Sequence, residues 1–159
     1  MANSPYTKQK LEEEKIKSKL EYLPLGVNRD WFKENSKKRI EIRKKLDIDQ
    51  DDFVVLSVGQ IQPRKGVSDF MRVAAKLPHI TFVWVGGTPF GKLTEGHAQL
   101  EKEIKDAPKN CMFIGEVDYK DVPNYHAIAD IFFMPSHQET FGLVITEAAS
   151  TGTPLLLRD

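Results

Sequence analysis

The sequence predicts an α/β domain built on a doubly wound, Rossmann-like parallel sheet of about five strands. Two observations carry that prediction. From Asp52 onward, short apolar runs alternate with helical stretches: FVVLSV at 53–58, HITFVWV at 79–85, CMFI at 111–114, DIFFM at 130–134 and LLL at 155–157. The runs are also continuous and rich in β-branched and aromatic residues. Strands that read this way, with no in-and-out alternation, are covered on both faces, as in a parallel sheet. Ligands of such sheets sit beyond the carboxyl ends of the strands, so the loops after Val58, Val85, Ile114 and Met134 should share one rim.

The 159 residues, 40% of them hydrophobic, can build one domain with a real core. The opening MANSPYTKQKLEEEKIKSKL has no apolar centre of a secretion signal, no run is long enough to cross a bilayer, and the single Cys111 cannot form an internal disulfide. A reducing, cytoplasmic setting is expected. Charge balances at 23 basic against 23 acidic residues, which removes the simplest case for nucleic-acid binding. Its distribution is uneven: residues 1–46 carry 13 Lys/Arg and 7 Asp/Glu, the remainder 10 and 16. A basic front of this kind suits either a solvated helix face or peripheral contact with anionic headgroups at the inner membrane face. His79, His97, His126 and His137 lack metal-ligand spacing, and no acidic metal triad is evident, so no metal is expected; the histidines read as structural or solvent-exposed, with His137 beside Glu139 left a minor role at the site.

In chain order, residues 1–20 read as a loop and a charged helix with a thin apolar edge of Leu11, Ile16 and Leu20. Glu21 to Leu25 (EYLPL) reads as a short strand, followed by a turn at 26–29 that Trp31 and Phe32 dock. Lys37 to Leu46, with Ile40, Ile42 and Leu46 among charges, suits a surface-lying helix. The loop after the first long strand, Gly59 to Gly66, carries Gln60 and the paired cations Arg64 and Lys65 at a helix entrance, where they can neutralise phosphate. The next loop, Gly86 to Gly91, is not a Walker sequence, since no G-K-[ST] closes it. The third, Gly115 to Asp118, offers backbone at Glu116 and Val117 that can read a flat base. Tyr125, Ile128 and Ala129 suit a core-facing stripe, and Phe132 and Phe133 suit sheet packing.

The chemistry concentrates in MPSHQETFGLVITEAASTGTP, residues 134–154. A strand ends at Pro135, a polar loop runs from His137 to Thr140, and Leu143, Val144, Ile145, Ala148 and Ala149 are spaced for a short buried helix that Gly152 and Pro154 end. Its unpaired N–H groups, near Phe141 to Val144, face the strand mouth and attract phosphate. Glu139 in the loop and Glu147 in the helix would flank that pocket. Two carboxylates cannot both contact phosphate, so at least one should hold hydroxyls, which sugars supply. A glycosidase pair is the competing reading, but its carboxylates stand roughly 5 to 10 Å apart, whereas eight mostly helical residues rise about 12 Å.

Taken together, VGQIQPRKG, VGG, FIGEV and PSHQETFGLVITEAASTGTP, in this order and spacing, resemble the C-terminal domain of family-four retaining glycosyltransferases of the GT-B fold, whose usual mark is Glu, seven residues, Glu. The resemblance implies one half of a GT-B enzyme. Residues 1–20 would be a remnant of the neighbouring N-terminal acceptor domain with its linker, and residues 21–159 a nucleotide-sugar-binding domain short of its closing helices. It implies no cofactor beyond the donor, a UDP-hexose as substrate. Arg64 and Lys65 would serve the donor diphosphate, and Glu139 the sugar hydroxyls near the anomeric centre. Backbone at Phe141, Gly142 and Leu143 would hold phosphate and sugar, with Gly59, Gln60, His137 and Thr140 around them, Glu147 the ribose, and Glu116 and Val117 the base. Gln60 departs from the pattern, where many members carry Arg. A general likeness to bacterial enzymes that glycosylate diacylglycerol points to a membrane glycolipid acceptor. A plain nucleotide- or phosphate-binding module is the alternative.

Overall fold

The computed structural model describes residues 2–15, 18–88, 96–139 and 141–158. Five of the apolar runs become strands β1 (Val54–Val58), β2 (Thr81–Val85), β3 (Cys111–Gly115), β4 (Ile131–Met134) and β5 (Leu155–Leu157). They form one sheet in the order β3-β2-β1-β4-β5 with every pairing parallel. The chain works outward from β1 to β3, then returns to the other side of β1 for β4 and β5. The reversal leaves a crevice at the carboxyl ends of β1 and β4, and that switch point is where such sheets take ligands.

Successive strand residues point to opposite faces, and each face has its own core. Val55, Phe82 and Trp84 pack against α3 (Val67–Lys76) and α4 (His97–Lys105) through Val67, Phe70, Met71, Ala74 and Leu100. Phe70 meets Phe82 and Trp84 edge-on, with ring centroids 5.3 and 5.2 Å apart. Val54, Leu56, Val83, Val85 and Phe132 pack on the other face against Ile42, Tyr125, Ile128 and Ala148, contributed by α2 (Ser36–Lys45), α5 (Val122–His126), the turn after α5, and α6 (Leu143–Ser150). Around β1, β2 and β4 this is the double cover that the unbroken apolar runs predicted; β5, at the sheet edge, departs from it and leaves Leu155, Leu156 and Leu157 exposed.

Ahead of the sheet, α1 (Pro5–Glu13) starts on Ser4, whose Oγ accepts from the Thr7 N–H at 3.0 Å, and buries none of its side chains. Glu21 to Leu25 is not a strand. Tyr22 makes one isolated bridge to Ala2, and Tyr22, Leu23 and Leu25 remain exposed. Pro24 has no N–H to donate, so a ladder cannot run through it. Phe32 docks with full burial, whereas Trp31 stays half-exposed. On α2, which Asn35 caps by accepting from the Lys38 N–H at 3.0 Å, the buried residues are Ile42 and Arg43, and Ile40 faces solvent.

Arg43 is fully buried at the amino ends of the strands. Its guanidinium donates to the carbonyls of Asp49, Gln50, Asp52 and Ile128 at 2.8–3.0 Å and to Asp130 Oδ2 at 2.8 Å. Asp130 also accepts from Arg39 at 2.7 Å and from the Val54 N–H at 2.8 Å, clamping the starts of β1 and β4 together.

Candidate functional site

The carboxyl ends of the strands are stitched into one rim by backbone. Gly59 N–H donates to Val85 O at 2.9 Å, Ile61 N–H to Gly87 O at 2.8 Å, Gly86 N–H to Gly115 O at 2.8 Å, and His137 N–H to Arg64 O at 2.8 Å. The loops after β1, β2, β3 and β4 therefore share a rim, as the fold class predicts. Glycine is required where they touch. A Cβ on Gly66, which has a φ of +73°, would stand 2.2 Å from the carbonyl oxygen of Pro135, so the loop after β1 can lie on the loop after β4 only without a side chain there.

That approach delivers Lys65, on the 3-10 turn Pro63–Lys65, to Glu139. The Lys65 Nζ lies 2.5 Å from Glu139 Oε2, and the pair is 15% and 20% exposed, sheltered but reachable from solvent. Glu139 in turn lies against the start of α6: a Cβ on Gly142 would come within 3.3 Å of its Cγ. Gly142, in the left-handed region at a φ of +69°, is the N-cap of α6 and has no side chain to cap it. A helix leaves its first amides without intrahelical partners, and here that end of α6 stands beside one lysine and one carboxylate.

Of the other residues singled out in the sequence, Arg64 is exposed at the mouth, donating to Gln62 Oε1 at 2.9 Å and to Gln138 O at 3.4 Å. Gln60 and Glu116 are exposed on the rim, Val117 packs against the core, Phe141 is half-buried and Leu143 is exposed. His137 turns away to α3, where its Nε2 lies 2.9 Å from Asp69 Oδ2 and Arg158 joins the same carboxylate. Thr140 and the stretch Pro89 to Gly91 of the second loop lie outside the described residues.

Glu147 is 4% exposed and faces inward from α6. Its Oε1 accepts from the Tyr119 hydroxyl at 3.2 Å, and its Oε2 lies 3.6 Å from His126 Nε2. The Tyr119 ring is largely exposed, but desolvation of its hydroxyl where it meets Glu147, and next the Glu147 carboxylate, push the phenol above its ordinary value, so it stays protonated and donating. Sequence reasoning missed Tyr119 and His126 as neighbours of Glu147. A signal for His126 was present: it follows Val122 by four residues and adjoins Tyr125, within the buried stripe. Cys111 is no nucleophile, since burial pushes its thiol up to about 12. Among the described residues no group of three or more His, Cys, Asp or Glu converges as a metal site would.

A cation, a carboxylate and a helix N-terminus meeting at a parallel-sheet switch point define a class: a Rossmann-like domain with its candidate ligand site at the carboxyl ends of the strands. The chain belongs to the family described as Glycosyl transferases group 1, which it matches over residues 38–159. It is 38% identical over 144 residues to the alpha-galactosylglucosyldiacylglycerol synthase of Streptococcus pneumoniae, covering 90% of this chain and 38% of that protein. It is 35% identical to the processive diacylglycerol alpha-glucosyltransferase of Acholeplasma laidlawii, covering 91% of this chain and 42% of that one. The chain thus spans well under half the length of these curated relatives. Its fold matches Anabaena HepE, solved with UDP and glucose, at a TM-score of 0.83 and 23% identity, over 98% of this chain and 43% of that one. Sucrose-phosphate synthase from Thermosynechococcus elongatus matches at 0.80 and 26% identity, over 98% and 39%. The architecture is one Rossmann-like half of the GT-B fold.

Proposed function

We propose that this chain is the donor half of a retaining glycosyltransferase that moves a hexose from UDP-hexose to a membrane glycolipid, the acceptor half lying in residues beyond this chain. The observation that carries the reading is the Lys65–Glu139 contact across the β1/β4 switch point, at the N-terminus of α6. In transfer, the bond between the anomeric carbon and the diphosphate oxygen breaks, a bond to the acceptor oxygen forms, and the acceptor's proton ends on the leaving diphosphate. Lys65, Arg64 and the first amides of α6 stabilise the charge that develops on that diphosphate. Glu139, held by Lys65, accepts sugar hydroxyls. Glu147 accepts from the ribose, and its partner Tyr119 lies two residues beyond Val117, so ribose and base would be read side by side. The diacylglycerol relatives and the basic first 46 residues support the lipid acceptor and peripheral membrane contact.

Calorimetric titration of the chain with uridine and guanosine diphosphates and their hexose conjugates tests the donor site. UDP binding should weaken about tenfold or more in both Lys65→Ala and Glu147→Ala, each of which loses a charged hydrogen bond. Binding indifferent to both changes would overturn the reading. The chain by itself should show no sugar transfer to diacylglycerol acceptors.

A further inference from the structure

His126 is buried to 1% exposure, and neither ring nitrogen has a hydrogen-bond partner. A buried polar group in that state calls for a reason. Its ring sits between Phe32, at 5.7 Å and edge-on, and Phe132, at 5.6 Å, so packing fixes its plane. Nε2 then faces Glu147 Oε2 at 3.6 Å, a few tenths of an ångström beyond a hydrogen bond. From the other side, Tyr119 donates to Oε1 at 3.2 Å, and its ring leans on Trp31 and Phe32 at 6.0 and 6.2 Å. Both oxygens of one nearly buried carboxylate are thus approached by donors, one from the 3-10 turn Tyr119–Asp121 and one from α5.

A carboxylate offers about four acceptor positions. These two donors approach one on each oxygen and leave a second on each, the arrangement that takes the two hydroxyls of a vicinal diol. We propose that His126 and Tyr119 are positioning residues that aim Glu147 at the ribose diol of the nucleotide. The inference rests on the donor-site reading above and extends it to residues that need not touch the ligand. Without the two donors the carboxylate loses its direction, so phosphate recognition survives while ribose recognition fades.

The measurement is the ratio of dissociation constants for UDP and 2′,3′-dideoxy-UDP, taken by calorimetry on the full chain. The wild type should prefer UDP by about tenfold or more. His126→Phe fits the aromatic box but cannot donate, and should lose most of that preference while holding dideoxy-UDP as the wild type does. His126→Gln, which restores an N–H, should recover part of it. Tyr119→Phe alters an exposed residue, keeps the ring contacts, and should reduce the preference by about threefold. A role in packing alone would shift both ligands together and leave the ratio unchanged. Full preference retained in Tyr119→Phe overturns the proposal, even where His126→Phe does not fold, and so does full preference in a folded His126→Phe. A wild type that binds UDP without preferring it over the dideoxy form overturns instead the assignment of Glu147 to ribose, and one that binds neither overturns the donor site itself.

Discussion

Two charged clusters sit at opposite ends of the same pair of strands. At the amino ends of β1 and β4, Arg43, Arg39 and Asp130 form a closed network whose donors and acceptors are taken up by backbone at 127–129, 49–52 and Val54. At the carboxyl ends, Lys65 and Glu139 form a pair at the crevice mouth, next to helix amides with no side-chain cap. The first is complete within the protein. The second lies open at the crevice mouth, where a ligand of such a sheet would meet it. An ion pair's role is thus better read from what else its members bond than from its own distance.

The largest test of the contrast is Arg43→Ala. It leaves four carbonyls short of a donor and Asp130 with one fewer cation in a buried setting, and should cost about 3–5 kcal/mol in chemical denaturation. The UDP affinity of whatever remains folded should stay unchanged. A loss under 1 kcal/mol would mean that Arg43 is no more structural than Lys65.

Next is Gly66→Ala, which couples stability to the site. A left-handed backbone and a Cβ driven onto the Pro135 carbonyl should together cost roughly 3 kcal/mol. The loops that bring Lys65 to Glu139 must part, so nucleotide affinity should fall along with stability. Lys65→Ala separates the two effects. It gives up one sheltered contact with Glu139 and strains no backbone, so its melting curve should move less than that of Gly66→Ala while UDP affinity drops by about tenfold.

The sheet was legible because unbroken apolar runs of this length pair as parallel strands, although the exposure of all three leucines of β5 was not. The crevice was half legible. Arg64, Lys65, Glu139 and Glu147 stood out by type and spacing, but the contact between Lys65 and Glu139 follows from β4 lying beside β1, and strand order is not written in local periodicity. Long-range polar satisfaction was not legible at all. Arg43 reads as one more charge on a surface helix until the Ile128 carbonyl, 85 residues away, is seen to accept from it. The same holds for Glu147, whose neighbours Tyr119 and His126 come from two other elements. Glu21 to Leu25 failed in the opposite direction: a locally apolar run found no strand to pair with.

The smallest effect separates the two clusters by pH. Burial alone would raise the Asp130 carboxyl, but the Val54 N–H and the guanidinium groups of Arg39 and Arg43 outweigh it and hold that carboxyl below its ordinary value. A depressed folded-state value means that the stabilisation is fully present above the unfolded value, about pH 4, and is lost as pH falls through the folded one. Urea midpoints taken between about pH 5 and pH 2 should therefore fall more steeply for the wild type than for Asp130→Asn, which has no proton to gain. Glu139→Gln, changed at the open end of the same strands, should keep its UDP-free fold at pH 7, with urea midpoints there falling less than for Arg43→Ala. Parallel acid limbs for wild type and Asp130→Asn would show that the amino-end network does not depend on the charge of Asp130, and the contrast between the two clusters would then rest on burial alone.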